Sequence, residues 1–183
     1  TKLSHQVMGS DKTYEGTLHL GVATDSQDCD GTVLSERDAS AVTREALEAE
    51  MKLRVGDLMQ TPPMVSAVKK DGVPLYKLAR QGQVVEREPR LIHVYEYRLL
   101  TFTPPTATFV LRCTKGTYVR TLVSDIGEAL GCGAHLAALR RTVSGPLQIA
   151  DAVPLDRILA APPTEVGTFV QPMNRFSLSG PLA

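Results

Sequence analysis

The chain has 183 residues, 43% of them hydrophobic, which suits one sizeable domain or one large domain with a small appendage. No apolar run approaches the ~20 residues of a membrane-spanning helix. Three scattered cysteines (Cys29, Cys113, Cys132) give neither metal spacing nor an even disulfide set, so reduced thiols in a cytoplasmic protein are expected.

Charge is balanced overall at twenty basic and twenty acidic residues, but unevenly placed. Residues 1–50 hold four Lys or Arg against ten Asp or Glu, which leaves the later two thirds with a surplus of positive charge. A zero net charge therefore does not argue against a polyanionic partner; both a phosphate-binding face and ordinary scatter of surface charge fit.

In chain order, Tyr14 to Val22 alternates: Tyr14, Gly16, Leu18, Leu20 and Val22 point one way and Glu15, Thr17 and His19 the other. This pattern predicts a half-buried strand. TDSQDCDGT then forms a turn. Its Asp25, Asp28 and Asp30 do not have the spacing of an EF-hand loop, and a solvated loop is expected. Thr43 is the expected N-cap of a helix running to about Arg54, with Leu47 and Met51 one turn apart. In QTPPMVSAVKKDGVPLYKLARQG the Pro pair enforces extended backbone, MVSAV reads as a short strand and Asp71-Gly72 as a turn. PLYKLARQG reads as a helix from Pro74 with Gly82 just past its end.

Residues 90–102 and 106–114 read as two strands, adjacent in the sheet and separated by Thr103-Pro104-Pro105. Lys115-Gly116 makes a turn, and Val119, Leu122, Val123 and Ile126 follow with helical spacing. Gly131 and Gly133 end that helix, and AHLAALRRT predicts a second, short one. The Pro-rich tail from about 161 is expected to be loop with one further strand. Strands and helices without regular βαβ alternation point to an α+β fold with a mainly antiparallel mixed sheet flanked by helices.

Two features at residues 114–141 bear on chemistry. Tyr118 and Arg120 flank Val119, so their side chains diverge to either side of the buried helical stripe. A cation at a helix N-terminus is disfavoured by the macrodipole, and no acid stands three or four residues away to compensate Arg120. Its partner should come from elsewhere in the chain or from a ligand, unless the guanidinium is simply solvated. Familiar alternatives fit poorly: Lys115-Gly116-Thr117 is too short for a P-loop, and His5, His19, His93 and His135 have no metal spacing.

KGTYVRTLVSDIGEALGCGAHLAALRRT resembles the C-terminal motif of the TruB family, the tRNA pseudouridine-55 synthases. PPMVSAVKKDGVPLYKLARQG resembles that family's RNA-gripping insertion, and DKTYEGTLHLGVATDSQDCDG the segment after its catalytic loop. The resemblance covers about residues 1–155. It implies a partial catalytic domain over residues 1–160, with the insertion at about 62–82, and a C-terminal extension over 161–183. It also implies isomerisation of a T-loop uridine in tRNA to pseudouridine, without cofactor or metal, by a monomer that flips the base from its stack.

On the same ground Arg120 pairs with the catalytic aspartate, and Tyr14 packs on the flipped base. Tyr118 and Leu139 line the pocket, with Lys115 beside it. Lys69, Lys70, Lys77 and Arg80 contact the RNA backbone. The family's nucleophilic aspartate lies in a Gly-Thr-Leu-Asp stretch upstream of the segment matching Thr1-Lys2-Leu3, and no such stretch occurs here. A fragment, inactive by itself and with an exposed sheet edge, is therefore expected; Asp11, Asp25, Asp28 and Asp30 match other family positions. A non-catalytic tRNA-binding or tRNA-folding protein is the alternative, and a guide-RNA-dependent relative a third.

Overall fold

The computed structural model describes residues 9–70 and 72–169. Its frame is a six-stranded sheet. In chain order the strands are β1 (Lys12–Leu20), β2 (Val22–Thr24), β3 (Val33–Glu36), β4 (Gly56–Gln60), β5 (Lys69–Lys70), β6 (Val73–Pro74), β7 (Arg90–Thr103), β8 (Thr106–Cys113), β9 (Ala134–Ser144) and β10 (Leu147–Gln148). The sheet order is β10-β9-β1-β8-β7-β4, while β2 pairs β3 and β5 pairs β6 in two small ribbons. Every ladder between these strands is antiparallel. The helices are α1 (Arg44–Leu53), α2 (Leu75–Arg80), α3 (Val119–Ala129), α4 (Leu155–Ala160) and α5 (Pro163–Val166).

The period-2 pattern of β1 explains its two faces. Gly16, Leu18 and Leu20 are buried, whereas Glu15, Thr17 and His19 are not. The same alternation in β8 buries Ala107, Phe109, Leu111 and Cys113. On this face α1 contributes Leu47 and Met51, and α3 contributes Val119, Leu122, Val123 and Ile126, to one core. Each such side chain is worth roughly 2 kcal/mol of apolar burial. Thr43 caps α1 as expected, accepting from the Ala46 N–H at 3.2 Å. Gly16 allows the Phe109 ring to lie against β1: a Cβ there would sit 2.3 Å from the ring.

Four local expectations are corrected. The predicted Tyr14–Val22 strand breaks at Gly21, whose positive φ turns the chain into β2. Residues 134–144 are the long strand β9, not a short helix. Ala, Leu and Arg favour helix locally, but Gly131 and Gly133, both at positive φ, reverse the chain onto β1, and pairing along all of β1 overrides propensity. MVSAV is not a strand either. The Ser66 and Val68 carbonyls accept from the Tyr76 and Leu75 N–H groups, so the segment folds back on the start of α2 and the strand begins only at Lys69. Asp71 of the predicted turn, and the tail beyond residue 169, lie outside the described residues, but the described start of the tail forms α5 and a 3-10 turn (Gly167–Phe169) in place of the expected loop.

Candidate active site

The first turn of α3 is where the charges gather. Tyr118 is its N-cap residue but supplies no side-chain cap. Arg120 follows one residue into the helix with its side chain only 21% exposed. Its Nη1 donates to Asp28 Oδ2 at 2.8 Å and to the Ser26 carbonyl at 3.2 Å, and its Nη2 donates to the Val65 carbonyl at 2.7 Å. The guanidinium is therefore neither solvated nor without a counter-charge. The carboxylate that the helix start lacks comes from the 25–30 loop, which the sequence suggested was merely solvated.

That loop is shaped to deliver it. Ser26 Oγ donates to Asp28 Oδ1 at 2.6 Å, and the Asp30 N–H donates to the same oxygen at 3.2 Å. Thr24 Oγ1 donates to the Asp28 carbonyl at 2.7 Å. Partial burial pushes the Asp28 carboxyl up, but the bonds from Ser26, Arg120 and Asp30 outweigh it and hold the group below its ordinary range. Thr121 Oγ1 adds a bond to Gln27 Oε1 at 3.0 Å, so α3 grips the loop at two successive residues. The loop also docks on β9, through a parallel bridge between Asp28 and Leu136.

Tyr14 and Leu139 meet on the neighbouring strands. Tyr14 faces Arg141 and Gly16 faces Leu139, so Leu139 lies diagonal to Tyr14 on the same face of the sheet. Tyr14 packs partly buried against the core, and Leu139 is 44% exposed. Burial pushes the Tyr14 hydroxyl up, and Arg141 beside it only partly opposes this, so the group is a proton donor at neutral pH. Burial, then Arg141 and more weakly Lys115, exposed in the Gly116 turn, disfavour the charge of Lys12. Strand β9 thus links two clusters: Tyr14, Leu139 and Arg141 along its middle, and Asp28 with Arg120 near its start.

The basic residues expected to contact RNA lie on β5 and α2. Lys69 and Lys70 lie exposed on β5, and Lys70 Nζ donates to the Glu86 carbonyl at 3.0 Å. They border a cleft of about 410 Å³ that Arg87, Arg90, Glu86 and Glu88 also line. Lys77 and Arg80 are on the exposed side of α2, with Arg80 over the Tyr76 ring at 5.6 Å. Among the described residues no three His, Cys, Asp or Glu side chains gather as a metal centre would require.

Sequence reasoning missed two groups here. One is Asp28; the signal for it was an uncompensated Arg120 in a chain with an acidic loop upstream. The other is Gln60, a buried amide shortly before the Pro pair, whose side chain bonds the backbone of Tyr118.

Residues 1–119 match the profile of the TruB family pseudouridylate synthase N-terminal domain, and residues 120–176 that of the tRNA pseudouridylate synthase B C-terminal domain. The chain is 54% identical to the tRNA pseudouridine synthase B of Opitutus terrae over 91% of its own length and 69% of the relative's. It is 51% identical to that of Pseudomonas aeruginosa, over 86% of its length and 52% of the relative's. The chain therefore spans about half to two thirds of these relatives. Among solved structures, a Cbf5–Nop10–Gar1 complex contains a chain of similar fold, with a TM-score of 0.68 at 26% identity over 93% of this chain and 44% of that one.

Proposed function

Because the chain belongs to the TruB family of pseudouridylate synthases, we propose that it forms the body of an isomerase that converts a T-arm uridine of tRNA to pseudouridine. The reaction breaks the N1–C1′ bond, rotates the uracil and forms the C5–C1′ bond; the C5 proton leaves and N1 gains one, so the product is an isomer. No external oxidant or reductant enters the balance.

One observation carries the reading: the guanidinium of Arg120, held by three acceptors against Asp28 beside Tyr118. A preorganised cation–carboxylate pair at the start of α3 stabilises charge that develops as the glycosidic bond breaks. Tyr14 offers its ring face to an extruded base and its protonated hydroxyl to the sugar or base edge. Leu139 and Tyr118 complete the walls, and Lys115 sits at the rim. Lys69, Lys70, Lys77 and Arg80 position the RNA by phosphate contacts, which carry no sequence information. Relatives named as synthases favour turnover over a non-catalytic tRNA binder.

Because the chain spans about half to two thirds of its relatives' length, turnover is assayed on the protein expressed from its whole gene. With a tRNA transcript tritiated at uridine C5, time-dependent release of label from the T-arm position is expected. Absence of release from a folded, tRNA-binding protein would refute the isomerase reading.

The basic insertion makes a separate prediction. Lys69→Glu together with Lys70→Glu weakens tRNA binding and lowers the slope of log K against log salt by about 1 to 2, at ~0.7–0.9 for each phosphate no longer neutralised. An unchanged slope in filter-binding titrations means these lysines do not touch the RNA.

A further inference from the structure

Gln60, the last residue of β4, is 5% exposed, and its side chain leaves the sheet to reach α3. Its Nε2 donates to the Tyr118 carbonyl at 3.0 Å, and its Oε1 accepts from the Tyr118 N–H at 2.8 Å. The two bonds run in opposite senses between one amide and one residue's backbone, like a rung of a sheet made by a side chain. The bond to Oε1 satisfies one of the free N–H groups of the helix start, that of the N-cap residue Tyr118, which contributes no side-chain cap of its own. The two bonds also fix Tyr118 in rotation and translation, since a two-point hydrogen bond leaves little freedom. Arg120 comes two residues later on the same turn.

The segment that follows Gln60 closes on the other end of Arg120. Thr61-Pro62-Pro63 is stiff, and Val65 presents its carbonyl to Arg120 Nη2 at 2.7 Å. Residues 60–65 therefore hold the backbone before Arg120 through one amide and its guanidinium through one carbonyl. Further along, the same segment becomes the basic hairpin and α2.

From this geometry we infer that Gln60 is a positioning residue for the isomerisation: its amide clamp on Tyr118 sets Tyr118 and the Arg120 guanidinium in place for the flipped uridine. It touches no substrate and acts only through those two residues. The inference rests on the proposed role of Arg120.

The test compares variants of the protein expressed from its whole gene. Gln60→Leu keeps the volume and removes both bonds. It is expected to lower kcat for pseudouridine formation by about 30-fold or more, as displacement of a reacting group by an ångström can, while KM for tRNA stays within about threefold because the phosphate contacts are intact. Gln60→Glu keeps the acceptor for the Tyr118 N–H but sets an oxygen against the Tyr118 carbonyl and buries an unpaired charge, and its kcat falls at least as far as that of Gln60→Leu. Leu47→Ala, a core change in α1 remote from the clamp, lowers Tm without lowering kcat at a temperature where it stays folded. If kcat of the Gln60 variants is unchanged, or falls only as far as that of a core variant of equal Tm, the inference is overturned.

Arg120→Ala separates this outcome from failure of the underlying reading. Normal turnover in that variant removes the site itself, whereas an inactive Arg120→Ala beside a fully active Gln60→Leu removes only the clamp. Hydrogen exchange on the unmodified protein serves if no Gln60 variant folds. The Tyr118 amide must be protected, and exchange at the rate of an open loop overturns the inference.

Discussion

Arg120→Ala lowers the rate of pseudouridine formation by about a hundred- to a thousandfold, the range seen when one preorganised electrostatic donor is removed from a site. tRNA affinity stays within a few fold, because Arg120 faces Asp28 and two carbonyls of the protein and not a phosphate. Arg120→Lys does not rescue it. A single ammonium on a flexible stem cannot reach the Asp28 carboxylate and the Ser26 and Val65 carbonyls from two nitrogens at once, as the planar fork does. The variant also carries an independent signature in acid. Asp28 has a depressed carboxyl pKa in the folded state, so its contribution to stability is present above the unfolded value and is lost as pH falls through the folded one, below about 3.8. Without the guanidinium the folded value moves back toward ordinary, so acid unfolding of Arg120→Ala begins at a higher pH. Near-normal turnover, or acid unfolding identical to the wild type, contradicts the role given to the pair.

The residues that were legible in the sequence are those whose physics is local. The alternation of β1, the Thr43 cap, the apolar spacing of α3 and the β7–Pro104-Pro105–β8 hairpin each depend on neighbours within a few positions, and the structure has them. Strand β9 was not legible, since AHLAALRRT is a good helix in isolation and becomes a strand only because β1 offers it a complete edge. MVSAV failed for the converse reason: it meets no partner strand, and the Ser66 and Val68 carbonyls accept from the start of α2 while that of Val65 accepts from Arg120. The site divides in the same way. Tyr118 and Arg120 are candidates that the helix start alone suggests. Their partners Asp28 and Gln60 are 92 and 58 residues away in sequence from the groups they bind, and no period or motif in a single chain announces such a pairing. What the sequence could state was the need, an uncompensated cation at a positive helix end, and the structure answers it with a carboxylate of this same chain.

The close crossing of α3 over β9 carries the largest expected effect on stability. A Cβ on Gly127 would lie 2.1 Å from the Ala134 nitrogen, 2.3 Å from the Gly133 carbonyl carbon and 2.5 Å from Ala134 Cβ. Two of these are backbone atoms, already fixed by the bond from the Gly133 N–H to the Gly127 carbonyl at 2.8 Å, so no rotamer change relieves the overlap. Alanine gains about 1 kcal/mol over glycine in helix propensity, but overpacking against an unyielding neighbour costs about 3 kcal/mol or more, so the clash prevails. At ~2–4 °C per kcal/mol for a chain of this size, a net loss of about 2 kcal/mol lowers Tm by roughly 4–8 °C. Gly131 provides the contrast. Nothing lies within 4 Å of its would-be Cβ, so at its positive φ Gly131→Ala bears only the left-handed strain of about 1–2 kcal/mol. Both variants weaken the fold, but only Gly127→Ala must lift the helix that holds Arg120 away from the strand that holds Leu139. It therefore loses turnover even at temperatures where it remains folded, whereas Gly131→Ala retains it. Equal kcat for the two variants at matched folded fraction would show that the α3–β9 separation does not set the geometry of the site.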